Sequence, residues 1–311
     1  MKFREIYYKE PVFRPPSEAD SLLIQATEGC TYQCSFCVSN IGKPFKIRKT
    51  EEIKEDIDTA FEMFPYFRRI FFLDGNAMVM PYNQLLEITK YAFEKIPHLE
   101  RVGVYAHAND ILSKTDEQLK NLADAGLKIA YIGIETGDDE LLKKIGKRTT
   151  AEKIIESFYK CFKAGITPSG TIILGLTGKD YELSQRHAIK SAELVNKASP
   201  VHLKDILKFN EIPKWYISLL TLMIPPGTKI YEQMIKKEFI PMDINDILVE
   251  LKTFIENISE EVKNCVFRSN HASNYLVIKG ILSDDKQKII KLIEENLKSH
   301  KNIRPEFLRA L

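Results

Sequence analysis

The chain has 311 residues, 44% of them hydrophobic and 28% charged, and its 45 Lys and Arg nearly balance 43 Asp and Glu. That balance lacks the strong basic excess of a dedicated nucleic-acid binder, so RNA or DNA is a disfavoured partner, although a local patch is compatible with it. No window of about 18 uninterrupted apolar residues occurs, and the opening run MKFREIYYKEPVFRPPSEAD has no apolar core of signal-peptide length, so the expectation is a cytoplasmic protein without a membrane span.

Taken in order, residues 1–20 read as an N-terminal extension, 21–227 as a catalytic domain and 228–311 as a helical tail. In the middle part, β-rich runs at 22–27, 69–73, 101–106, 129–134, 169–174 and 216–222 alternate with helical patterns at 50–63, 82–96, 115–125, 151–164 and 182–198. Such alternation predicts a parallel sheet of βα units. Within 50–63, Ile53, Ile57, Ala60 and Phe61 recur at helical spacing, with Thr50 as the expected N-cap. Residues 200–214 are too polar and irregular to assign. The tail reads as helices at 228–237, 244–262 and 284–299, with a polar loop at 264–280 expected to fold back over the mouth of the domain.

Cys30, Cys34 and Cys37 form C-x3-C-x2-C in the run GCTYQCSFC, just after the first strand. Three thiolates on one short loop can hold three irons of a [4Fe–4S] cluster and leave the fourth iron open. A structural zinc site would want a fourth ligand, and no second CxxC or HxxxH follows at finger-like spacing. Disulfides are disfavoured in a chain of this size without a secretory segment. Cys161 and Cys265 have no clustered partners in the sequence and read as buried, inert thiols.

This spacing, with Phe36 before the last cysteine, resembles the signature of the radical S-adenosylmethionine (radical SAM) superfamily. The runs RPPSEADSLLIQATEGC, LDGN, IGIETG and RSNHASNYL are similar to an Elp3-like and coproporphyrinogen-dehydrogenase-like branch whose members largely lack assigned substrates. The resemblance implies an α/β fold, an incomplete (βα)6 TIM-like barrel with a C-terminal helical extension, where a closed barrel has eight units. It also implies a [4Fe–4S] cluster whose unique iron binds S-adenosylmethionine, an external one-electron donor of ferredoxin or flavodoxin type, and reductive cleavage to a 5′-deoxyadenosyl radical.

Site residues follow from the same resemblance. Asp74, Gly75 and Asn76 stand where relatives carry a Gly-Gly-Glu-like turn, so Asp74 or Asn76 is expected to accept from the methionine ammonium. Glu135 in YIGIETG is expected to take the ribose hydroxyls or the ammonium, and Lys147 and Arg148 in GKRTT to pair with the methionine carboxylate. In SGTIILGLTG, Ile173 or Leu174 would pack on adenine while Gly175 and Gly178 let backbone come close. Phe36 would meet the adenine amino group through its backbone. Substrate candidates are Tyr105, His107 and Asn109 after the third strand, and Arg268, Asn270, His271 and Asn274 in the tail loop.

The resemblance does not select a reaction. No cobalamin-binding segment is read ahead of the barrel and no second cysteine cluster after it, so cobalamin-dependent methylation within this chain and sulfur donation are disfavoured. Two alternatives stay open beside hydrogen abstraction from an unidentified substrate: a tRNA-modifying subunit, and a non-catalytic iron–sulfur or SAM-binding accessory protein.

Overall fold

A computed structural model describes residues 5–39, 41–207 and 210–310. The elements run β1 (Leu22–Gln25), β2 (Thr27–Glu28), β3 (Lys46–Ile47), α1 (Thr50–Met63), β4 (Arg69–Leu73), α2 (Tyr82–Lys95), β5 (Arg101–Ala106), α3 (Ala108–Leu112), α4 (Asp116–Asp124), β6 (Leu127–Glu135), α5 (Asp139–Lys144) and α6 (Ala151–Ala164). Then follow β7 (Thr167–Leu174), α7 (Tyr181–Lys197), α8 (Lys204–Leu207), β8 (Trp215–Thr221), α9 (Lys229–Ile235), α10 (Ile244–Glu256), β9 (Cys265–Ser269), β10 (Ile278–Ile281) and α11 (Lys286–Ser299). Among the described residues the main sheet has eight strands in the order β1-β4-β5-β6-β7-β8-β9-β10, mainly parallel, and it is not closed into a barrel. This is the α/β partial-barrel class that the sequence predicts. None of the described helices is long and apolar enough to cross a membrane.

The chain packs as two compact units. The first comprises the described residues up to Gln33, with Ser39–Ile132 and Lys160–Pro168. Here β1, β4 and β5 pair in parallel, Leu22 opposite Ile70 and Arg69 opposite Arg101, so Ile24, Phe71, Phe72 and Val104 are wholly buried. Helix α1 buries Ile53, Ile57 and Ala60 at the predicted spacing, because one apolar stripe is what lets a helix lie on a sheet. Its N-cap is Lys49, in extended conformation and without a side-chain cap bond; Thr50 is already the first helical residue. β2 and β3 form a separate antiparallel ladder of two residue pairs, Thr27 opposite Ile47 and Glu28 opposite Lys46, which pinches the intervening segment into a loop.

The second unit comprises Cys34–Val38, Gly133–Tyr159 and the described residues from Ser169 onward. β7 and β8 pair from Ser169 opposite Tyr216 to Leu174 opposite Thr221, and β8 then pairs in parallel with β9. Much of the segment read as a polar loop at 264–280 is therefore strand. Val266 and Phe267 are buried against the sheet, and β10 returns antiparallel to β9, so burial decides the conformation of a stretch too short to show a period. Helix α10 stops at Glu256 rather than 262. Asn257 turns its side-chain amide back onto the Thr253 carbonyl at 2.8 Å, and Asn196 takes the Ser259 N–H at 2.8 Å, so the next turn unwinds.

Candidate cofactor-binding site

Cys30, Cys34 and Cys37 lie half-buried on the loop that leaves β2. Gly29, just before Cys30, has φ +65, and a Cβ there would stand 2.5 Å from the Lys43 carbonyl oxygen, so only glycine fits this turn. The Tyr32 N–H donates to the Cys30 sulfur at 3.4 Å. In the second unit the Cys37 N–H donates to the Cys34 carbonyl at 3.0 Å, and Ser35 is held from both sides, donating to the Ile145 carbonyl and accepting from the Ile230 N–H. Cys161 and Cys265 are wholly buried, and burial pushes the Cys161 thiol up to about 12 and that of Cys265 well above its ordinary value.

Among the described residues, no three His, Cys, Asp or Glu side chains converge so as to hold a single metal ion. A cubane cluster distributes its thiolates over separate irons and does not require that convergence. It requires soft sulfur donors close together in the chain, one of them already solvated by an amide. The three loop cysteines meet that requirement.

At the carboxyl ends of β4 and β5 the predicted residues are placed as follows. Asp74 is buried and ion-paired to Lys43 at 2.6 Å. Asn76 is 1% exposed; its amide donates to Asp110 at 2.5 Å and its oxygen accepts the His107 N–H at 3.2 Å. His107 is the N-cap of α3, where its Nδ1 accepts the Asn109 N–H. The Tyr32 ring stacks on the His107 ring, with centroids 3.6 Å apart and planes 9° from parallel. Burial, followed by the Asp110 carboxylate, raises the Tyr32 hydroxyl to about 12. Burial also raises Asp110 against the pull of Asn76, and lowers Lys114 to about 8. Tyr105 instead packs edge-on to Phe71, with ring centroids 4.9 Å apart. Tyr105 is half-buried there.

In the second unit, Glu135 ends β6 in the left-handed region, φ 62, and its Oε1 accepts from Lys147 Nζ at 2.7 Å. Both side chains are 9% exposed. The pair lies against Gly133: a Cβ at 133 would stand 2.3 Å from Glu135 Oε1 and 2.5 Å from Lys147 Nζ, so both charged ends would have to move. Arg148 is exposed. Phe36 packs on an apolar cluster of Leu141, Ile145, Ile173 and Leu176, so of the residues expected beside adenine Phe36 and Ile173 come together. Leu174 is 2% exposed. Gly175, φ 84, donates its N–H to Glu250 Oε1 at 2.7 Å, and Gly178 closes the turn by donating to the Gly175 carbonyl.

Glu250 was not foreseen. It is wholly buried, accepts from Ser184 Oγ at 2.5 Å, and faces His187 Nε2 at 3.6 Å. The other His187 ring nitrogen lies 2.7 Å from Thr136 Oγ1.

The tail loop is committed to its own structure. Asn274 is buried, donating to the Leu219 carbonyl and accepting from Thr221 Oγ1. Arg304 Nη1 donates to the carbonyls of His271, Ala272 and Asn274. His271 is half-buried, and burial followed by the Arg304 charge lowers its pKa. Arg268 is half-buried and donates to the Phe267 carbonyl, while Asn270 is exposed. A cavity of ≈ 310 Å³ opens at the end of β8, lined by Gly175, Leu222, Met223, Met242, Tyr275 and Arg309 among others; none of the four predicted tail residues lines it.

Residues 24–185 match the family model of the radical SAM superfamily. The chain belongs to that superfamily, whose cofactors, a [4Fe–4S] cluster and S-adenosylmethionine, are accordingly its own. It is 24% identical over 163 residues to an uncharacterized methyltransferase of Synechocystis sp., a match covering 51% of this chain and 30% of that protein. It is 25% identical over 275 residues to an uncharacterized protein of Methanocaldococcus jannaschii, covering 82% and 74%. The chain thus spans about a third of the first curated relatives it matches. Among solved structures, coproporphyrinogen III oxidase (HemN) of Escherichia coli superposes with a TM-score of 0.54 at 14% identity, covering 76% of this chain and 51% of HemN. The methyltransferase TsrM of Kitasatospora setae, with cobalamin and a [4Fe–4S] cluster bound, gives 0.51 at 18% identity, covering 76% and 44%. At these identities the likeness is one of fold.

Proposed function

We propose that this chain is a radical SAM enzyme in which Cys30, Cys34 and Cys37 hold the cluster, and Phe36, Glu135, Lys147, Arg148, Ile173, Leu174 and Gly175 receive S-adenosylmethionine. The observation that carries this reading is the cysteine triplet, which lies inside the family match on a loop leaving a strand. When bound, the cluster and S-adenosylmethionine supply a one-electron reductive cleavage whose 5′-deoxyadenosyl radical removes hydrogen from a substrate.

The chain's own part is binding, orientation and exclusion of water. Glu135 and Lys147 form a nearly buried pair of opposite charges, complementary to an amino-acid zwitterion. The carboxylate suits the methionine ammonium, and Lys147, with Arg148 beside it, suits the methionine carboxylate. Until then each charge neutralises the other, which avoids leaving a buried charge unpaired. Phe36 and Ile173 share an apolar surface fit for one face of a purine, and Gly175 lets backbone approach its edge. The electron comes from an external donor of ferredoxin or flavodoxin type. In the first unit His107 and Asn109 follow the carboxyl end of β5, the end of a parallel strand at which substrates are received.

Methyl transfer is a second reading of the same site. The name of the Synechocystis relative and the fold shared with TsrM favour it. Anaerobically reconstituted, reduced protein incubated with S-adenosylmethionine should release 5′-deoxyadenosine, whereas a Cys34→Ala variant should release none. Equal yields from the two proteins would refute the assignment of the triplet, and methylated product from added acceptors would select the second reading.

A further inference from the structure

We propose that Asp74 and Lys43 form a buried clasp at the base of the cysteine loop, so that Asp74 positions the cluster ligands and does not bind the methionine amino group. The cargo of the loop is taken from the family reading above; the clasp itself is a property of the chain.

The segment from Gly29 to Lys43 contains all three cysteines of the triplet, and it begins and ends beside one carboxylate. Asp74 Oδ2 accepts from Lys43 Nζ at 2.6 Å, Gln25 Nε2 at 3.3 Å and the Gly29 N–H at 3.4 Å. Asp74 Oδ1 accepts the Gly75 N–H at 2.8 Å. Three of these four donors converge on Oδ2, and the carboxylate charge is already matched by the Lys43 ammonium at the base of the loop.

Lys43 is equally committed. Its Nζ also donates to the carbonyls of Pro11 and Lys9, which uses all three ammonium protons. The two side chains are 1% and 3% exposed, so water does not compete for either charge. The loop ends also touch through backbone, since the Lys43 carbonyl occupies the space a Gly29 side chain would need. The neighbouring β2–β3 ladder has only two residue pairs among the described residues. A ladder that short needs side-chain help to stay closed. The carboxylate of Asp74 has its charge partner 31 residues away, at the far end of the cysteine loop.

Removing one partner of a buried pair leaves the other charge uncompensated, whereas replacing both by apolar side chains is mild for folding. That asymmetry shapes the test. Amide hydrogen exchange of the cluster-free full chain is followed over 29–43 in Asp74→Asn, Lys43→Met and the double variant Lys43→Met/Asp74→Leu. In all three, exchange across this segment should rise roughly tenfold or more while peptides of β4 and β5 keep parental rates. The double variant should show no larger effect than either single one, because one interaction is being removed. Iron retained per chain after anaerobic reconstitution should fall in the same three variants.

Parental exchange in Lys43→Met would overturn the clasp. So would an Asp74→Asn protein with parental loop exchange and iron content that no longer binds S-adenosylmethionine by calorimetry, since the carboxylate would then belong to the cofactor. The exchange arm needs no cluster. A parent chain that assembles no cluster would therefore refute the family reading while leaving the exchange result to decide the clasp.

Discussion

Replacing Glu250 by Ala tests whether a buried carboxylate on α10 holds the turn that follows β7. The side chain is wholly buried, accepts the Gly175 N–H at 2.7 Å and Ser184 Oγ at 2.5 Å, and its Oε1 lies 3.6 Å from His187 Nε2. Truncation strands the Gly175 amide, which has no means of turning elsewhere, at about 1–3 kcal/mol. It also removes one buried methylene at about 0.8 kcal/mol. Ser184 can rotate its hydroxyl toward its own helix and contributes little. The local cost is therefore about 2–4 kcal/mol, a factor of about thirty to several hundred in the opening equilibrium of the turn. Hydrogen exchange at Gly175 and Leu176 should accelerate by at least about thirtyfold in Glu250→Ala. In Glu250→Gln, whose amide oxygen still accepts from Gly175, the change should stay under about tenfold. Parental exchange in the Ala variant would refute the claim that this carboxylate fastens the turn, and equal acceleration in both variants would show that charge matters rather than the acceptor.

Gly133→Ala should push Glu135 and Lys147 apart, because its Cβ would stand 2.3 and 2.5 Å from their charged atoms; overpacking of this kind costs about 1–3 kcal/mol, and calorimetry on reconstituted protein should show S-adenosylmethionine affinity reduced at least about tenfold. Alanine at Cys30, Cys34 or Cys37 should abolish the brown colour of the reconstituted protein, whereas alanine at the buried Cys161 or Cys265 should retain it, with absorbance near the charge-transfer bands as the readout. Burial lowers the Lys114 ammonium from 10.5 to about 8. Between those two pH values the unfolded chain binds more protons than the folded one, so this group makes stability rise with pH and its contribution is lost as pH falls through about 8. Denaturant midpoints measured across that window should rise for the parent and rise less steeply for Lys114→Met.

Much of the fold was legible because its signals are short-range. Helices α1 and α6 and strands β4 and β5 lie at the boundaries that periodicity predicted, since an apolar stripe or a β-branched run between turn residues reports its own conformation. The cysteine triplet was equally plain, because ligand spacing on a loop is a property of the loop. β9 and β10 were missed for the complementary reason. Four or five residues carry no usable period, and only pairing makes strands of them, β9 along the edge of β8 and β10 along β9.

The amino-acid order by itself determined the βα alternation, the family and the soft sulfur donors, all of which are encoded within a few neighbouring residues. Tertiary structure decided what each strand-end carboxylate does. Asp74 faces Lys43, Glu135 faces Lys147, and Glu250 reaches back 75 residues to the Gly175 amide. A carboxylate removed from water must take whichever donors the fold brings to it, and those donors arrive from distant parts of the chain where no local pattern announces them.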